Sequence, residues 1–275
     1  MTPKRGIFRA LPLAVAAGTL CAGWIQGCAS RGPGVQLYER MRWPEICRAL
    51  EARWDGFLCL ETQIRYSAET PFGNVGGYGR LAYDSSLKKW AVELRGPLGV
   101  LVLCGFASPE TSWVYIPWEN MLYVAGRAEA LLFWTEGISK VWLAVLGRCP
   151  LGCRDEVRLM RRSNELVVVE TGPSGQVVGV RLDPKGGDLF QLGWQSDRTG
   201  LTVHYEGYRT VGGQRLPGLV RIESNSPRAR IAVSLVEPRV NRAISWSRYR
   251  FRVPPSARQA SFHELAEFWR SFQGG

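Results

Sequence analysis

From Trp54 onward the chain alternates apolar and polar residues with a period of two, broken at short intervals by Gly, Pro, Asn and Asp. In Lys89 to Arg95, Trp90, Val92 and Leu94 fall on one face while Ala91, Glu93 and Arg95 fall on the other. That is the signature of a half-buried antiparallel strand. Leu201, Val203 and Tyr205 against Thr202, His204 and Glu206 repeat it, as do Ile231, Val233 and Leu235. The pattern predicts strands over 57–66, 76–83, 89–95, 100–106, 112–116 and 121–124, and again over 156–161, 165–171, 176–182, 189–195, 201–208, 218–223 and 229–236. Gly76, Gly77 and Gly79 predict a bulge or sharp coil in the second strand. An antiparallel sheet this long must curl, so the expected fold is mainly β, a curved half-open barrel of about 11–12 strands.

The period changes to helical in three places. Residues 36–52 set Leu37, Met41 and Ile46 to Leu50 on one face, with Pro44 marking a kink or restart. Two short apolar segments, Ala128 to Trp134 and Ile138 to Leu146, interrupt the strands midway and predict a helical pair. From about 261 an amphipathic helix is expected, with Ser261 and Glu264 at capping-box spacing and Phe262, Leu265, Phe268, Trp269 and Phe272 on one side. It would cover a barrel edge, or touch membrane or a partner.

The amino terminus reads as a targeting device. Lys4, Arg5 and Arg9 precede a mostly apolar run from Ala10 to Ile25, a charged region followed by a hydrophobic one. Ile25-Gln26-Gly27-Cys28 resembles the bacterial lipobox, which implies a lipid-anchored chain beginning at Cys28. The competing reading is an ordinary secretory signal with an incidental cysteine; Cys21 is the poorer lipobox, since Leu20 precedes it. The expected organisation is a signal peptide over 1–27, an acylated tether over 28–35, and a single domain over 36–275. Ala29 rather than Asp after the cysteine implies, by the same resemblance, the outer membrane. No other stretch approaches the ~20 apolar residues that span a bilayer.

Composition narrows the functions. The charge of +11 falls to +8 once Lys4, Arg5 and Arg9 are removed, favouring anionic partners, of which nucleic acid is the least plausible for an exported chain. Cys47, Cys59, Cys104, Cys149 and Cys153 are an odd set; a Cys149–Cys153 loop and a cross-strand Cys59–Cys104 pair are both open. His204 and His263 stand apart from every cysteine, so no metal site is expected. There is no Gly-x-Ser-x-Gly elbow or His-Glu-x-x-His helix, and Gly76-Gly-Tyr-Gly79 runs into strand-like residues rather than a helix. The expectation is a non-enzyme without cofactor.

Three segments in order resemble the LolA/LolB family of lipoprotein carriers and receptors, closest to its outer-membrane receptor branch. They are Trp90 to Leu103, an apolar strand meeting a Pro-Leu-Gly turn; Trp142-Leu-Ala-Val-Leu-Gly147; and Leu201 to Tyr208 followed by Arg215-Leu-Pro-Gly218. Together they span about Trp54 to Val236. The resemblance implies an open barrel under a helical lid, acceptance of lipoprotein acyl chains from the family's periplasmic carrier, and their release into the outer membrane by a monomer. It implies a membrane-inserting turn at Pro97, Leu98 and Gly99, and a cavity lined by Trp90, Val92, Leu94, Leu101 and Leu103. Leu131, Leu132, Phe133, Trp134, Trp142 and Leu146 would form the lid's inner face. Arg148 to Asp155 and the extension after Val253 exceed the family pattern. Alternation alone leaves open a filled barrel, and with it a structural envelope lipoprotein, or a binding or sensing protein for another amphiphile.

Overall fold

The computed structural model describes residues 38–70, 73–126, 145–153, 157–172, 176–195, 200–225, 228–262 and 264. The chain divides between Gln36 and Leu37, and every described residue belongs to the second unit. A 3-10 turn, Tyr38–Arg40, leads into α1, Trp43–Ala52. Pro44 sits in the first turn of α1, where a missing N–H costs nothing, so it restarts the helix rather than kinking one. Glu45 closes the turn by accepting from the Arg42 N–H at 2.9 Å.

The strands follow in order: β1 Cys59–Thr70, β2 Gly73–Asp84, β3 Lys89–Arg95, β4 Leu101–Ala107, β5 Ser112–Ile116, β6 Met121–Ala125, β7 Arg158–Arg162, β8 Glu165–Thr171, β9 Val177–Leu182, β10 Leu189–Gln195, β11 Gly200–Glu206, β12 Arg209–Val211, β13 Gln214–Leu216, β14 Leu219–Asn225, β15 Arg228–Val240 and β16 Arg258–Ser261. Fourteen form one sheet in the order β16-β6-β5-β4-β3-β2-β1-β15-β14-β11-β10-β9-β8-β7, while β12 and β13 make a separate hairpin. All pairings in the large sheet are antiparallel except β16 beside β6. β7 and β16 stay apart as its edges, so the sheet curves without closing.

Each strand read from the alternation is present; the additions are the short β12, β13 and β16. The carboxyl-terminal extension covers the β6 edge with β16, which ends where the expected helix would begin. The capping box beyond it does form, with Ser261 Oγ accepting from the Glu264 N–H at 3.2 Å and Glu264 Oε1 accepting from the Ser261 N–H at 3.0 Å. The rest of that helix, most of the helical pair at 128–146 and the whole amino-terminal segment lie outside the described residues.

Curvature is written into β2. A Cβ on Gly77 would lie 1.9 Å from the Arg95 carbonyl oxygen, and one on Gly79 2.0 Å from that of Glu93. Only glycine lets β3 fold so closely over β2. The register between β1 and β2 is unbroken, so the expected irregularity is a sharp coil and not a bulge.

Directly opposed residues in antiparallel strands share a face, which makes the concave side traceable from strand to strand. Leu60, Ile64 and Tyr66 of β1 face it with Leu81 and Tyr83 of β2, Trp90 and Val92 of β3, and Val233 and Leu235 of β15. On the other half of the sheet, Val168, Val180, Leu192 and Val203 stand in one row. There α1 lies on the sheet, burying Trp43, Ile46, Cys47 and Leu50 among Leu166, Val180, Leu182 and Val220. Each such side chain contributes about 1.5–3 kcal/mol. Among the described residues, the convex side is covered where Ile244, Trp246, Tyr249 and Phe251 pack on Ala82, Ala91 and Phe106.

Cys47 of α1 is disulfide-bonded to Cys153, and Trp43 Nε1 donates to the Gly152 carbonyl at 2.9 Å. Both pairings considered from the sequence are therefore corrected. Cys153 is taken by Cys47, and Cys59 and Cys104 lie on β1 and β4 with two strands between them. At about 4.8 Å per strand, that separation exceeds what a disulfide bridges.

Candidate functional site

The concave face changes character along its strands. Nearest α1 the row Tyr205, Val220, Val233, Tyr66 is buried or nearly so. One step further, Val203, Ile222, Ile231, Ala68 and Val75 align, and exposure grows across them until Val75 is 45% exposed. In the outermost row Val178, Trp194 and Leu201 align, with Trp194 40% exposed. Burial strips water from the first row, whereas Val178, Trp194, Leu201, Ile222, Ile231 and Val75 form an apolar wall that keeps part of its surface unfilled. Among the described residues, α1 thus fills one end of the trough, and exposure rises toward the other.

The β3–β4 turn stands at that more exposed end. Val75 lies near the start of β2, Tyr78 at its middle and Arg95 at the end of β3, with Tyr78 opposite Arg95. Pro97–Gly99 make a single 3-10 turn in which Leu98 adopts φ +60° and Gly99 φ +77°. A left-handed backbone costs an ordinary L-residue roughly 1–2 kcal/mol. The turn is nonetheless fixed: the Gly96 N–H donates to the Val100 carbonyl at 2.9 Å, and Arg95 Nη1 donates to that of Gly99 at 2.9 Å. Arg95 is itself held by buried Glu93, which also receives Arg80 Nη2 at 2.7 Å. The result presents Leu98 completely to solvent at 102% exposure, flanked by exposed Val100 and Tyr78.

Of the cavity residues expected from sequence, Trp90 and Val92 are buried and Leu94 and Leu103 pack beside them in one cluster. Leu101 pairs with Arg95 across a register shift and is not in that cluster. Leu146 is buried in the same cluster as Trp90. Leu131, Leu132, Phe133, Trp134, Trp142 and Cys28 lie outside the described residues. The sequence reading did not single out Trp194, Ile222 or Val75; their alternation gave the face but not which end stays unfilled.

A recess of about 510 Å³ lies between Gly179, Gly193, Thr202, Glu223 and Arg230, with Trp194 and Leu201 lining it as well. Gly179, Gly193, Thr202, Glu223 and Arg230 oppose one another in a single row on the convex face. Its lining mixes apolar Val177, Trp194 and Leu201 with charged Glu223 and Arg230. Tyr205, Tyr208 and Cys149 have their ionisation pushed up chiefly by burial, Cys149 to about 12, so none is poised to exchange a proton near neutral pH.

No family model and no curated protein matches the sequence. Among solved structures, the chain is similar to a putative outer membrane lipoprotein-sorting protein domain from Vibrio parahaemolyticus, at 10% identity over 75% of this chain and 95% of that one, TM-score 0.48. It is also similar to a LolA superfamily protein from Nitrosomonas europaea, at 10% identity over 74% and 97%, TM-score 0.48. A DUF1329 family protein from Desulfovibrio piger aligns at 12% identity over 76% and 95%, TM-score 0.40.

Proposed function

We propose that this chain is a lipid-anchored protein of the bacterial outer membrane, facing the periplasm, that accepts lipoprotein acyl chains in its concave trough and passes them to the membrane. The observation that carries the reading is the coincidence of two apolar features at one end of the sheet. The unfilled wall around Trp194 and Val75 ends where the fully exposed Leu98 begins. Hydrocarbon leaving the trough there meets an apolar tip instead of bulk water, at a saving of about 0.8 kcal/mol per methylene kept dry.

In this account Cys28 carries the anchor that keeps the chain at the bilayer, while a soluble periplasmic carrier of the LolA/LolB type delivers the cargo. Leu98 inserts first, since burying an exposed leucine contributes about 1.5–3 kcal/mol, and the short turn keeps it from folding back. No bond is made or broken in the cycle. The residues expected as a lid, Leu131 to Trp134, Trp142 and Leu146, would shield the chains during transit.

Delivery of a radiolabelled lipoprotein from the carrier to vesicles tests the reading. Leu98→Glu should still take cargo from the carrier but lose transfer to vesicles at least tenfold. Unchanged transfer by that variant would remove the turn from the mechanism.

A further inference from the structure

We infer that the trough recognises an ester carbonyl of its ligand through the Tyr66 hydroxyl, so that the cargo it selects is ester-linked diacylglyceryl rather than any hydrocarbon of the right length. This rests on the acyl-chain reading above. Tyr66 lies on the concave face, opposite Val233 on one side and Gly77 on the other. It is only 9% exposed, and its hydroxyl is buried without a hydrogen-bond partner. A phenol hydroxyl stripped of water and left unpaired is costly, and native interiors rarely retain one. Here it sits one row inside the unfilled wall, where an entering chain would reach it past Ile231 and Ala68.

The surroundings define what the hydroxyl receives. Besides Tyr205, its row and the next contribute Val220, Val233, Gly77, Ile222, Ile231 and Ala68, with no cation among them. A phosphate or carboxylate would remain an unpaired buried charge, which such a wall cannot stabilise. An amide or a protonated acid brings a donor of its own that would need an acceptor. An ester carbonyl only accepts, and so completes the Tyr66 bond without creating a new orphan. Burial pushes the pKa of the phenol up, so it stays protonated and able to donate.

The test compares a peptide carrying S-dipalmitoylglyceryl-cysteine with its dialkyl ether analogue, which has the same chains and no carbonyl. Binding to the delipidated full chain is read by tryptophan fluorescence. The ester ligand should bind about fivefold more tightly than the ether, as expected for one hydrogen bond, and Tyr66→Phe should abolish the difference. Without ligand, Tyr66→Phe should melt no lower than the parent and up to about 3 °C higher, because an unpaired hydroxyl has been removed. Ser112 supplies the control: its hydroxyl is also buried without a partner, but between Ala107 and Ala125 on β4 and β6. Ser112→Ala should leave the ester preference intact. Equal binding of ester and ether by the parent, or an ester preference kept by Tyr66→Phe, overturns carbonyl recognition while leaving the acyl-chain reading standing. Failure of both ligands to bind overturns both.

Discussion

Leu98 pays a conformational cost to stand where it does. Its φ of +60° is one that Asn adopts far more readily than a leucine, and its side chain packs on nothing. Leu98→Asn should therefore raise stability, by up to about 1 kcal/mol, while abolishing membrane transfer; thermal melting and the vesicle assay measure the two effects separately. A loss of stability would mean that the leucine is a packing residue after all. The Pro-Leu-Gly turn was legible in the sequence, and its resemblance to a membrane-inserting turn placed Leu98 at the tip. The left-handed leucine was not legible, because Gly99 follows it and a turn can meet the need for positive φ at glycine alone. Tyr66 was equally hidden: a strand pattern assigns its face but says nothing of a partner for its hydroxyl.

Between strands, the decisive feature is how sharply β2 coils under β3. The carbonyls of Arg95 and Glu93 occupy the space that side chains at 77 and 79 would need. Gly77→Ala should destabilise the fold by about 3 kcal/mol, the upper part of the range for overpacking, whereas Gly56→Ala, with open space but positive φ, should cost about 1 kcal/mol. Urea denaturation distinguishes them; equal costs would show that the strands relax apart. The alternating strands were readable because one face is dry and the other wet over five or more residues. β12 and β13, three residues each, are too short for alternation to register. β16 escaped because its partner β6 is more than a hundred residues away, and a parallel edge pairing leaves no local mark.

Across the molecule, the concave face is partly core and partly trough, and α1 draws the line between them. The Cys47–Cys153 disulfide, with a sequence separation of 106 residues, ties that helix to the segment following the midway interruption. Closing so long a loop in the unfolded chain is worth up to about 4–5 kcal/mol. Reduction, or Cys47→Ala with Cys153→Ala, should lower the melting temperature by roughly 10 °C, while Cys149→Ser should leave the disulfide in place. An unchanged melting temperature on reduction would show that packing alone seats the helix. Alternation alone left both a filled and a hollow barrel open, since it identifies a face without saying what lies on it. Among the described residues, α1 packs at the end near Leu182 and Val220, while Trp194 and Val75 at the other stay partly exposed.

Adjacent residues of β15 give the most direct test of where cargo goes. Ile231 belongs to the partly bare concave wall, and Arg230, its neighbour, pairs with Glu223 on the convex face. A photoreactive phenylalanine analogue placed at each position, followed by irradiation with a carrier-delivered radiolabelled lipoprotein, should give a crosslink from 231 and none from 230. Crosslinks of equal yield from both positions, or from 230 alone, would contradict the assignment of the concave trough as the acyl-chain site.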